Sequence, residues 1–429
     1  MFRRNTTLLI RHADYRMLWI GQSISLAGDY VALFAMPSLV ILMLHATNFQ
    51  VGVLNSCTQA ATPIVALGSG ILLDRVRRRR VLVAANITML FLFASIPLVG
   101  LMGHLSLVQV FVVSILAGAC AVVFDVGYQS YLPDILSGED LVKGNVLMEI
   151  SNSAARLAGP GVSGLIIQLL GPPGAIAANS ASFLASVAGL LRVKYIESRR
   201  ARPAGWHRRA WHEIGEGLKI VFQHPLLRPL TLAAAMRNIG NNMARTVLLL
   251  FAYRALHLSP GVLGLLLSMG AAASIVGALG VQPLVRLLGL GATLTMSIGM
   301  EGLAWMLAPL ALVATQPALA LGAVVALTGP WLPIWNAQVT TLRQIVTPSK
   351  KQGRVHAAAR SVNWGVSPVG ALAGGAVASL LSNIFDTRSG LAMAMAVSGA
   401  VGATAACWTM SSAVRHLHSM PIQAIRSSS

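Results

Sequence analysis

One turn of this chain, "GSGILLDRVRRRRVL" (68–82), gathers Asp74, Arg75 and the run Arg77–Arg80 between two long apolar stretches. Arginines alone would serve as an orientation signal, but an acid contributes little to that signal. Asp74 and Arg75, with Gly70 one turn upstream, therefore ask for a working role, such as a charged clasp that closes and releases. Arg78 and Arg79 can pair with acids elsewhere, Asp134 or Asp125 being the candidates. A second set of groups lies inside apolar stretches: the acids Asp29, Asp125, Glu149 and Glu301, and the bases Arg156, Arg237, Arg245 and Arg360. Ionisable side chains at such positions are costly and mark paths for ions or substrates. Asp29, Asp125 and Glu149 are candidates to load a proton on one side and release it on the other. Arg156, Arg237, Asn241 and Asn336 are candidates to line a polar cavity. Glu301 reads instead as a locally paired or snorkelling acid. In "GPGVSG" (159–164), Pro160 removes a helical hydrogen bond, while Gly159 and Gly164 let a neighbouring helix approach.

The elements that carry these groups follow from composition. The chain is 55% hydrophobic and only 10% charged, with a mean hydropathy of +0.70. A soluble protein is about a quarter charged, so a water-facing surface is excluded. Apolar runs of close to 20 residues recur, each able to cross a hydrocarbon core of roughly 30 Å as a helix. Twelve spans are predicted: 17–41, 51–73, 81–102, 106–131, 143–170, 175–193, 229–253, 260–282, 291–312, 317–341, 355–382 and 389–412. With both termini cytoplasmic, 26 of the 32 Lys and Arg fall on the cytoplasmic side and only Arg254 and Arg388 opposite. That asymmetry fixes the orientation. It also accounts for the net charge of +19 without nucleic acid. Cys57, Cys120 and Cys407 all fall in apolar runs, so no disulfide framework is expected.

The longest break divides the chain into an N-terminal six-helix bundle (1–193), a cytoplasmic linker (194–228), a C-terminal six-helix bundle (229–412) and a tail (413–429). Ile214, Leu218, Val221 and Phe222 share one helical face in the linker, which reads as an amphipathic helix on the membrane surface or as a plain tether. The halves look like copies: "LPDILSGEDLVKGNV" from Leu132 is similar to "LRQIVTPSKKQGRV" from Leu342. Internal duplication of six spans is a transporter architecture. Trp331 and Trp335, near Asn336, offer either an interfacial belt or a cavity wall.

The loop Gly70-x3-Asp74-Arg75, continued by Arg78 and Arg79, resembles the signature between the second and third spans of the major facilitator superfamily. Arg77 stands where that pattern has a second glycine. "YRMLWIGQSISLAGD" (15–29), "YQSYLPDILSGEDLVKGN" (128–145), "EGLKIVFQHPLLR" (216–228) and "GRVHAAARSVNWGVSPVGALAGG" (353–375) resemble its twelve-span proton-antiporter branch, related to macrolide and enterobactin exporters. The resemblance implies an all-α integral membrane protein of two pseudo-symmetric bundles that alternates access to a central cavity. It also implies a gating role for the loop and an antiporter role for "GPGVSG". Many members carry a coupling Arg in the fourth span; none is present here.

The expected function is proton-coupled efflux of a bulky organic compound from the bacterial cytoplasmic membrane, by a chain that acts as a monomer. Its partners are the substrate, protons and the bilayer. Uptake or facilitated diffusion of a small metabolite is the alternative. A lipid-modifying membrane enzyme is a more remote one, since no nucleophile–base or metal-spaced His arrangement appears. No phosphate-cradling Gly-Lys-Ser/Thr loop is present, and no cofactor or metal is expected.

Overall fold

The computed structural model describes residues 8–195, 206–410 and 414, with the side chains at 62–64, 66–72, 74–75, 206–214 and 350 left aside. The described residues form helices and short connections, with no strand. In hydrocarbon each backbone N–H and C=O must be satisfied within its own segment, which is why the long apolar runs are helical throughout. The helices are α1 (Ala13–Leu42), α2 (Asn48–Arg75), α3 (Arg78–Leu101) and α4 (Leu107–Ile135). A run from Gly138 to Arg192 is interrupted at Gly171, whose φ of 72° and ψ of 168° are not helical. We label its parts α5 (138–170) and α6 (172–192). There follow α7 (Trp206–Gln223), α8 (Leu227–Leu250) with a π turn (Phe251–Ala255), α9 (Pro260–Leu288) and α10 (Leu290–Met306). The remainder are α11 (Pro317–Thr328), α12 (Trp331–Val346), α13 (Gln352–Gly365), α14 (Ser367–Ile384) and α15 (Thr387–Met410).

Nine described helical stretches are long and apolar enough to cross a membrane. One of them contains both α5 and α6, and α2 and α8 are also of spanning length. The twelve expected crossings are thereby accounted for. Two differ in form from the expectation. The tenth carries a local irregularity at Gly329–Pro330, between α11 and α12, and the eleventh one at Val366, between α13 and α14, with right-handed helical dihedrals kept at all three residues. The backbone stays helical through Pro160, and the interruption at Gly171 falls in the predicted break between the fifth and sixth spans.

The chain divides into two compact units. The first comprises Met1–Ala46, Cys57–Ala204 and Ser259–Ser268. In it α1 packs along α5 and α6, and α3 along α4 and α6. The second comprises Thr47–Ser56, Gly205–Leu258 and Met269–Ser429. Its core joins Leu230, Ala233, Leu294, Ile298, Trp335 and Ala405. Trp335 is only 3% exposed, so it is a core residue, neither the belt nor the cavity wall that the sequence left open.

The duplication is visible in bond detail. After α1, His45 takes φ 47°, and after α8, His257 takes φ 52°. In each case the next residue donates its N–H back six positions, Ala46 to Val40 and Leu258 to Ala252, both at 2.9 Å. A hydroxyl then caps the following helix: Thr47 accepts from the Gln50 amide, and Ser259 from the Val262 amide. The same register relates two glycine crossings. In the second unit a Cβ on Gly52 would lie 2.9 Å from Gly375 Cα; in the first, one on Gly264 would lie 3.0 Å from Gly164 Cα. Helices that close cannot admit a side chain.

The linker differs from expectation. Val221 is fully buried and packs with Leu227, Val355 and Ala358, with Leu218 against them. That face of α7 docks on α13, because apolar protein surface is available there; Ile214 lies outside the described side chains.

α9 supplies an internal control for the crossing. Gly264→Val should destabilise the protein by about 1–3 kcal/mol through overpacking, read as a lower melting temperature in detergent. Gly280→Val on the same helix, where a Cβ meets nothing within 4 Å, should leave melting nearly unchanged.

Candidate functional site

α2 ends at Arg75 and α3 begins at Arg78, so the charged turn is a tight connection. Gly70, Asp74 and Arg75 sit in the last two turns of α2; their side-chain surroundings lie outside the described residues. Arg78 makes an ion pair with Asp134 near the end of α4 and donates to the Ser130 carbonyl at 2.9 Å. Arg79 reaches α6, donating to the carbonyls of Leu190 (2.8 Å) and Leu191 (2.6 Å). A guanidinium over the last carbonyls of a helix satisfies acceptors that have no intrahelical partner and meets the negative dipole end. Thus Arg78 and Arg79 fasten α3 to two neighbours at one end of the first unit.

More charged contacts gather at that end, and the sequence did not reveal them. His12 Nε2 lies 3.1 Å from Asp140 Oδ2, and Lys143 lies 3.3 Å from Asp140 Oδ1. The hydrogen bond from His12, and after it the one from Lys143, hold the Asp140 carboxyl below its usual range. Asp14 accepts from the amides of Lys194 and Tyr195, both at 3.0 Å. Lys143 is a local partner three residues from Asp140, but the His12 and Asp14 contacts join segments more than a hundred residues apart, so no local pattern announces them.

Along the spans of the first unit, a row of polar contacts ties α1 to α5. Tyr15 donates to the Gly144 carbonyl (2.7 Å), Ser23 to Ser151 (2.9 Å), Tyr30 to Asn152 (3.0 Å), and Ser163 to the Val31 carbonyl (2.8 Å). Asp29 lies on α1 beside this row and Asp125 on α4; both are exposed and within Coulombic reach of one another. Ser23, a conceivable partner for Asp29, is engaged with Ser151. Glu149 and Arg156 are also exposed, with Ser153 donating to Glu149 at 3.5 Å. Gly159 meets the Tyr30 side chain, and the Gly161 amide donates to Ser268 Oγ at 3.1 Å. Around Gly159 is a cavity of about 220 Å³ with an apolar wall formed by Ala27, Val31, Ala155, Ala158 and Val162.

In the second unit Arg237 is buried and lies 2.5 Å from Glu301 Oε2 on α10. A guanidinium near the middle of a span requires a countercharge, and Glu301 supplies it. Arg237 and Glu301 border a small space together with Asn241, Trp305 and Ser398. Asn336 is exposed on α12. At the far end of α8, Arg254 donates to Asn48 Oδ1 (2.6 Å), and Asn48 in turn donates to the Ala378 carbonyl and Ser382 Oγ.

Two helical units with matching turns and crossings, and charges held in pairs inside the spans, describe a membrane carrier. The sequence profile described as Major Facilitator Superfamily matches residues 18–371. The chain belongs to that superfamily. Among curated relatives it is 25% identical over 386 residues to the multidrug efflux pump Tap of Mycolicibacterium fortuitum, covering 87% of this chain and 91% of that one. It is 24% identical over 163 residues to the enterobactin exporter EntS of Shigella boydii, covering 38% and 39%. Among solved structures, the nucleoside transporter NupG (D323A mutant) superposes with a TM-score of 0.72 at 14% identity, covering 93% of this chain and 99% of that one. A bacterial homologue of the iron transporter ferroportin gives 0.68 at 16% identity, covering 93% and 98%. At those identities the structures speak for the fold alone. This facilitator is a multi-pass membrane transporter.

The buried pair gives a direct test. Arg237→Leu or Glu301→Leu alone strands a charge in a dry interior and should destabilise the transporter by about 3–5 kcal/mol, whereas the double variant should recover most of that loss. Melting of the purified single and double variants checks it; a double variant as unstable as the two singles combined would refute the pairing.

Proposed function

We propose that this transporter exports a bulky organic compound from the cytoplasm in exchange for protons, with both termini on the cytoplasmic side. The supporting observation is the pair Asp29 and Asp125, two exposed carboxylates on adjacent spans within reach of each other's field. Proximity of like charges makes a shared proton favourable, and an accessible carboxylate in a span is suited to exchanging one. The names of the relatives, a multidrug efflux pump and an enterobactin exporter, favour export over uptake. The 26-to-2 distribution of basic residues supports the orientation.

In this reading the two bundles rock about a central path, each with access to one side at a time. The gate at the cytoplasmic mouth is the turn that carries Gly70, Asp74 and Arg75, together with the Arg78–Asp134 pair and Arg79. Gly159, Pro160 and Gly164 keep the fifth span close-packed while the path changes side. Glu149 and Arg156 serve as relay or cavity groups of the first unit, and Asn336 as a cavity group of the second. The chain works as a monomer, without a cofactor and without catalysing a covalent step.

Ethidium efflux from cells making the protein tests the coupling. A protonophore should abolish export, and Asp29→Asn should reduce it at least tenfold with a normal amount of protein in the membrane. Export that persists without a proton gradient would overturn the antiport reading. Asp74→Asn should likewise lower export without affecting insertion; unchanged export would leave that turn an orientation anchor only.

A further inference from the structure

Arg360 lies eight residues into α13, roughly 12 Å along a helix rising 1.5 Å per residue. Its guanidinium carbon stands 4.7 Å from the centroid of the Trp364 ring. Both residues are exposed, Trp364 at 48%. The opposite side of α13, Val355, Ala358 and Ala359, is buried in the second unit. Among the described residues Arg360 has no ion pair or hydrogen bond, so the stacked ring is its one recorded partner. Ser361 is exposed next to it.

Arginines inside spans as a rule turn to the bundle interior or to a water-filled cavity rather than to lipid. Protein charge could satisfy Arg360 only from elsewhere. In the spans of the second unit the sole carboxylate is Glu301, and Arg237 already holds it. What remains is a planar donor fork laid against an indole face. The fork matches a carboxylate or phenolate in two-point contact, and the indole offers a stacking surface for a flat ring. A bare phosphate or a lipid headgroup would use the charge and leave the ring idle.

We propose that Arg360 and Trp364 form a substrate subsite for a planar aromatic group bearing an anionic oxygen. The guanidinium pairs with the oxygen while the indole flanks the ring. This rests on the export reading and narrows its substrate class.

The test measures export of fluorescein, a flat anionic dye, and ethidium, a flat cation, from phosphatidylcholine proteoliposomes carrying the full chain and driven by a pH gradient. Arg360→Gln should lower the fluorescein-to-ethidium export ratio at least tenfold. Arg360→Lys, which keeps the charge and loses the planar fork, should lower it by a smaller factor. Trp364→Ala should lower it, and Trp364→Phe should retain most of it. With the wild-type chain, benzoate should inhibit fluorescein export and benzamide should not, a comparison that stands even if a variant fails to fold. A ratio unchanged within twofold in Arg360→Gln and Trp364→Ala, or equal inhibition by benzoate and benzamide, would overturn the subsite. Inhibition by added phosphatidylglycerol with none by benzoate would assign Arg360 to lipid and overturn it as well. Wild-type protein that moves ethidium but not fluorescein overturns this subsite alone; movement of neither dye overturns the export reading beneath it.

Discussion

Hydrocarbon solvates neither a peptide group nor a charge, and nearly every feature of this protein follows from that. Backbone groups are satisfied inside continuous helices. Charges within the spans are then tolerated on two terms. Some are matched inside the protein, as Arg237 is by Glu301. Others are exposed along a helix face, as Asp29 and Arg360 are. The two terms sort structural from functional groups: a matched pair fastens helices, while an accessible charge is available to something that moves.

The two halves solve the same packing problem with the same devices, and they differ where function would have them differ. Turn geometry, hydroxyl caps and glycine crossings recur in matching register after α1 and after α8. The ionisable groups do not recur. The first unit carries its accessible acids on α1, α4 and α5, whereas the second presents bases, with its one span acid already committed. Duplication accounts for the scaffold; later divergence of single side chains accounts for the division of chemical labour.

Much of the scaffold was legible because run length and charge placement are local properties. Twelve crossings, the mid-chain linker and the match between Leu132 and Leu342 needed only counting. Arg78 and Asp134 could be paired because the connection between α2 and α3 brings the arginines to one end of the unit. What local pattern cannot carry is the meeting of distant segments. Whether Arg237 faces a path or a partner depends on α10, and Trp335 reads identically as belt, wall or core until its neighbours are known. The inward face of α7 is a similar case: an apolar stripe docks equally well on a membrane or on α13. The break at Gly171, by contrast, lies where the predicted spans leave one, and its glycine is free to adopt positive φ where the chain reverses.

The Arg237–Glu301 contact also bears on how the chain is made. Synthesis delivers Arg237 sixty-four residues before Glu301. At about 5–20 residues per second that gap lasts roughly 3–13 seconds. During it the eighth helix is a nascent segment with an unmatched guanidinium, poorly suited to leave the insertion machinery for lipid. Its release into the bilayer would then wait on the helix that brings the carboxylate, so the two would enter together and the order of assembly would be written into one electrostatic debt.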